Sequence, residues 1–179
     1  MRLPSRVEAL GILEAAGCCG AVVDHCVSVA GVALRLVGEL RRRGVEVDGD
    51  LVEAGALLHD LGRSETHGIE HAVVGGKIAR SLGLPEALVR IIERHIGAGI
   101  PQAEAEKIGL PEGDYVPETL EERLVAYADK LVEGGREVSF GVTLAKFAEE
   151  LGEDHPQVDR MRALWEEMEA LLGSETSQF

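Results

Sequence analysis

The chain has 179 residues and a formal net charge of −14, with 45% hydrophobic, 28% charged and only 3% aromatic residues. That size and balance fit one domain with a full core, and the acidity argues against a nucleic acid polymer as partner, because most of the surface repels phosphate. Met1 to Arg6 lack a signal-peptide apolar region, no apolar run approaches the roughly 20 residues that span a bilayer, and Cys18, Cys19 and Cys26 form no disulfide framework, so a cytoplasmic protein without a membrane anchor is expected.

The shortage of aromatics and of alternating β-branched runs predicts an all-α fold with a Leu, Val, Ile and Ala core. Ser5 is placed to cap a first helix through about Ala16, stopped by Gly17. A longer helix is predicted from about Ala21 to Arg43, with Val22, Val29, Val32, Leu36 and Leu40 on its apolar face. His25 lies on that face and Cys26 points away from it. Arg41, Arg42 and Arg43 place cations at the negative end of the helix dipole. Asp48 or Asp50 caps a third helix, Leu51 to His59, in which Val52, Gly55 and Ala56 share a face with His59. Gly62 is expected to end it.

After a polar link, Arg63 to Gly68, helices are predicted over His71 to Leu82 and Glu86 to His95, separated by Gly83 and Pro85. Gly97 to Pro117 is rich in glycine and proline, with a short helix over Gln102 to Lys107, and is expected to wall or cover a site. Thr119 caps a helix from Leu120 to Val132 that carries Asp129 among apolar neighbours. Gly134 and Gly135 break the chain before helices over Ser139 to Leu151 and Gln157 to Leu172. Met161, Trp165 and Met168 pack the last helix onto the core or a second copy, so a homo-oligomer is conceivable, and Glu175 to Phe179 should fray. A single domain follows, with its core over about 20–135 and a helical extension over about 139–172.

The ionisable residues on apolar faces are His25, His59, Asp60, His71, His95 and Asp129. One such histidine alone is usually a satisfied core residue. Six of these groups on helices packed round one core should converge, and converging carboxylates and imidazoles leave buried charge that a cation neutralises. Imidazole with carboxylate suits one or two divalent transition ions, with Fe, Mn, Co or Ni all compatible. The doublet His59-Asp60 supplies a neutral nitrogen and an anionic oxygen from one short segment.

His25, the run His59-Asp60-Leu61-Gly62, His71, His95 and Asp129 together resemble the HD-domain phosphohydrolase superfamily, its HDIG-type members in particular, over about residues 20–135. The segment Glu93-Arg94-His95-Ile96-Gly97-Ala98-Gly99 is similar to an archaeal group of HDIG proteins, and Tyr127-Ala128-Asp129-Lys130 with Gly135-Arg136 resembles symmetrical diadenosine tetraphosphate hydrolases. The resemblance implies an all-α HD-domain bundle. It also implies that His25, His59, Asp60 and Asp129 ligate one ion. His71 and His95 would then serve a second ion or touch phosphate. Many members have Ile where Leu61 stands and Lys where Arg63 stands. Arginine keeps the cation but cannot donate a proton. The implied activity is metal-dependent hydrolysis of a small phosphorylated substrate, with a nucleotide or dinucleoside polyphosphate expected. Asp60 and Arg63 are the catalytic candidates, and Arg63, Lys130 and Arg136 the phosphate contacts. The alternative is a metal- or nucleotide-binding module without turnover.

Overall fold

Ser5 and Glu8 cap each other's backbone amides at the start of the first helix, α1 (Arg6–Ala16), and Gly17 ends it in the left-handed region at φ 86°. This is the first of nine helices among residues 2–173, the part of the chain that the computed structural model describes. The expectation for Glu175 to Phe179 lies outside those residues. The others are α2 (Gly20–Arg42), α3 (Gly49–Leu58), α4 (His71–Ser81), α5 (Glu86–Arg94), α6 (Gln102–Lys107), α7 (Leu120–Asp129), α8 (Phe140–Leu151) and α9 (Pro156–Leu172). Caps expected from the sequence are in place: Asp48 accepts from the Leu51 amide and Thr119 from the Glu122 amide.

The fold is all-α, and its long axis is α2 laid along α3, the most extensive helix contact in the molecule. Leu57, Leu58, Leu88, Ile91, Ile92 and Leu124 form the fully buried centre where α3, α5 and α7 meet. Gly55 permits the α3–α5 approach, since a Cβ there would lie 2.7 Å from Ile91 Cγ2. By length and composition α2 could cross a bilayer, contrary to the expectation that no run comes close. Here it packs on α3, α7 and α9. Leu164, Met168 and Leu172 bury α9's apolar face against the rest of the chain, and Trp165 stacks on Phe140.

Three boundaries differ from the sequence expectation, each for a local reason. First, α3 ends at Leu58, and the chain enters a 3-10 turn over Leu61–Ser64. Gly62 sits inside that turn rather than terminating the helix. Its lack of a side chain lets the turn lie against α4, where a Cβ would collide with the His71 carbonyl oxygen and approach the Gly75 amide nitrogen to 2.5 Å. Second, α7 ends at Asp129 and not at Val132. Val132–Glu133 and Arg136–Glu137 pair as strands β1 and β2, joined by Gly134 and Gly135, both at positive φ as a tight hairpin requires. Third, the Gly97–Pro117 region is tied down. Ile100 and Tyr115 exchange backbone hydrogen bonds, and Val73, Ile100, Ala105, Leu110 and Tyr115 form a small second core.

Gly62→Ala should destabilise the protein by at least about 2 kcal/mol in urea unfolding, because backbone and not a mobile side chain occupies the space. Gly11→Ala, in α1 with nothing within 4 Å, should be neutral or stabilise by up to about 1 kcal/mol. Equal effects at the two sites would show that Gly62 does not set the turn against α4.

Candidate metal centre

Five helix ends converge on one point. His59 follows the last residue of α3, His95 follows the last residue of α5, and Asp129 closes α7. His71 opens α4, and His25 sits in the second turn of α2. Three helix C-termini thus aim the negative ends of their dipoles at the site, which favours a cation there.

The imidazoles are oriented by the backbone. His59 Nδ1 donates to the Ala56 carbonyl (2.8 Å), His71 Nδ1 to Gly68 (2.7 Å) and His95 Nδ1 to Ile92 (2.7 Å). Each partner lies three residues upstream. With Nδ1 engaged, Nε2 of all three rings turns inward, the arrangement that fixes metal-ligating histidines.

All six expected ligands meet. His25 Nε2 lies 2.9 Å from Asp129 Oδ1, and His59 Nε2 lies 3.5 Å from that same oxygen. Asp60 stands between two groups. Its Oδ2 is 4.0 Å from His25 Nε2 and 3.7 Å from His59 Nε2. Its Oδ1 is 3.0 Å from His71 Nε2 and 3.6 Å from His95 Nε2. Donor atoms of His25, His59 and Asp129 all lie within 4.8 Å of one another, as do those of His59, Asp60 and His95.

The residues fit a metal ion on the structure's own evidence. His59 Nε2 and Asp60 Oδ1 are buried with no hydrogen-bond partner. Such orphans are costly unless something else satisfies them. Burial opposes charge on His59, yet the Asp60 carboxylate beside it outweighs burial and holds the imidazole well above its ordinary pKa. Burial likewise opposes charge on Asp60, and the positive charge on His59 with the nearby His71 and His95 rings overcomes it, so Asp60 stays ionised. Asp129 is pulled well below the carboxylate range against its own burial, by the Lys130 ammonium and by His25 and His59. His95 is the opposite case: burial, with the positive neighbours, lowers it to about 4 and keeps it neutral. The carboxylates therefore demand positive charge in the pocket, and a proton on His59 answers that demand where an ion can replace it.

The expected phosphate contacts are placed differently from one another. Arg63 Nε pairs with Asp60 Oδ2 at 2.7 Å, on the wall of a cleft of about 650 Å³ that opens onto His25, Asp60 and His67. Lys130 is buried, paired with Asp129 and 3.4 Å from the His95 carbonyl, at the back of the centre. Arg136 is exposed on β2, beside the two hairpin glycines that border the cleft. His67, in the polar link before α4, also lines the cleft. Cys26, expected to face away, is fully buried beside His59. The i−3 carbonyls that orient the rings carry no sequence signal, since any residue type supplies one.

Comparison with known proteins gives the family. The HD domain family model matches residues 22–134. An uncharacterized protein of Methanocaldococcus jannaschii is 48% identical over 165 residues, covering 92% of this chain and 97% of that one. The chain belongs to the HD domain family. It is also 39% identical to a tRNA (cytidine(56)-2'-O)-methyltransferase of Picrophilus torridus, matching 96% of its own length but only 48% of that protein's. Among solved structures, the HD domain of the L. monocytogenes phosphodiesterase PgpH, in complex with cyclic-di-AMP, shares the fold. Its TM-score is 0.55 at 14% identity, over 96% of this chain and 98% of that one.

Loading the metal-free protein with Mn²⁺ should release protons, because His59 is held protonated by its carboxylate neighbours and must lose that proton to bind. Calorimetry in two buffers of different ionisation enthalpy would measure this, and affinity should rise with pH. A pH-independent affinity with no proton release would contradict the assignment of His59.

Proposed function

We propose that the chain is a cytoplasmic, metal-dependent phosphohydrolase acting on a small phosphorylated substrate, a nucleotide or a dinucleoside polyphosphate. The observation that carries this reading is Asp60, whose two oxygens face two separate groups of inward-turned imidazoles. His25, His59, Asp60 and Asp129 would hold one ion, and Asp60, His71 and His95 a second. Iron, manganese, cobalt and nickel all accept this donor set. A bound dication supplies Lewis acidity toward phosphoryl oxygens and lowers the pKa of water.

The chain's own residues supply the rest. Arg63 stands on the open wall of the cleft, with a planar guanidinium suited to two phosphate oxygens. Arg63 is engaged by Asp60 and Lys130 by Asp129. Charge taken up by those carboxylates elsewhere leaves both cations with weaker partners, and Arg63 is the one with access to a phosphate. Lys130, from behind, keeps Asp129 ionised and aligned. Arg136 would meet the distal end of a longer substrate from the hairpin. His95, neutral and pinned to Ile92, is a lone-pair donor at neutral pH and not a proton source. The nucleotide preference is supported by the fold shared with PgpH, whose HD domain was solved with cyclic-di-AMP.

Metal-reconstituted protein should release phosphate or a nucleoside phosphate from at least one member of a panel of nucleotides, cyclic dinucleotides and dinucleoside polyphosphates. Chelation should abolish turnover, as should Asp60→Asn. Arg63→Ala should raise KM at least tenfold while metal content is kept. Binding of nucleotides with no product over hours would replace this reading with a silent binding module.

A further inference from the structure

Of the seven large apolar side chains left exposed among the described residues, three, Ile69, Ile108 and Leu151, come together around one groove. The groove has a volume of about 520 Å³, and Ile96, Ile100 and Phe147 line it as well. That is within the range of small-molecule sites, and side chains gathered in this way mark a surface that something covers.

The groove adjoins the metal centre on the side of Asp129 and Lys130. Ile96 follows His95 in the chain, and Ile69 precedes His71 by two residues. Phe147 and Glu150 line both the groove and the adjoining cavity that contains Asp129 and Lys130. A substrate whose phosphate reaches the centre past Asp129 has this groove beside it.

One polar group in the groove is built in place. Gln157 is 7% exposed, and its Oε1 accepts from Arg160 Nη2 at 2.6 Å. Arg160 is itself fixed by Glu104 (2.9 Å from Nη1) and by the Gly99 carbonyl (3.2 Å from Nε). The carbonyl end of the amide is thus engaged, and Nε2 is the end left to donate. It lies against Gly97, where any Cβ would collide with it and where φ is +57°. The rim is close to charge-balanced: Glu104 is paired with Arg160, and Lys107 lines the groove together with Glu150. A neutral, flat group with apolar faces and an acceptor on its edge fits.

We propose that this groove is the subsite for the heteroaromatic base of a nucleotide, seated against Phe147 and the isoleucines, with Gln157 Nε2 donating to an acceptor on the base edge. The proposal rests on the hydrolytic reading only for the position of the phosphate. The test is calorimetric binding of 5′-AMP and of ribose 5-phosphate to the Mn²⁺-loaded full chain. The 5′-AMP should bind at least tenfold tighter than the base-less probe. Phe147→Ala should remove most of that advantage. So should Ile108→Glu, at an exposed position where folding is not at stake, and both should leave ribose 5-phosphate affinity within twofold. Equal affinity for the two probes, no binding of 5′-AMP, or an advantage that survives both variants would overturn the proposal. Absence of turnover on the nucleotide panel with these binding differences intact would overturn the hydrolytic reading alone.

Discussion

The fold is arranged around a buried carboxylate that cannot be satisfied by hydrogen bonds alone. Asp60 is 4% exposed, and its Oδ1 lacks a hydrogen-bond partner of good geometry although two imidazole nitrogens lie near it. Placing an ionised group in such an environment costs several kcal/mol unless opposite charge is close. Ring orientations and counter-charges serve that requirement: the backbone carbonyls of Ala56, Gly68 and Ile92 fix the rings. Three helix C-termini add further negative potential at the same place, which deepens the demand for a cation.

The packing that makes this possible is unusually dependent on small residues. Gly55 admits Ile91 between α3 and α5, and Gly62 admits the first turn of α4. Without the second contact, the turn carrying His59 and Asp60 could not lie within reach of His71. Gly97 does the same for Gln157 on the far side of His95. Close approach at these three points brings a donor set from five helices into one centre and joins it to an apolar groove.

Much of this was legible in the sequence. Amphipathic spacing located the helices because few aromatics or β-branched alternations competed with it. The six donors stood out because histidine and aspartate are expensive on apolar faces. Less legible were features that depend on backbone and not on side-chain type. Asp129 ends a helix because the Gly134-Gly135 hairpin turns the chain back immediately after it. Gly62 reads as a helix stop and proves to be a contact point. Arg63 and Lys130 read as phosphate contacts, and the sequence carries no sign that each is engaged by a carboxylate. Gln157 carried no signal, since only the fold sets it beside Gly97. Cys26 is buried because α2 turns a broader face inward than Val22, Val29, Val32, Leu36 and Leu40 alone imply, with Ala30, Ala33 and Val37 also buried.

The central claim is that His25, His59, Asp60, His71, His95 and Asp129 surround bound metal. X-ray absorption at the metal edge of the loaded protein tests it most directly. The expected spectrum has nitrogen and oxygen neighbours at about 2.0–2.2 Å, the outer-shell scattering of at least two imidazoles, and loss of that pattern in His59→Ala. A bound ion with water-like oxygen coordination and no imidazole scattering would contradict it.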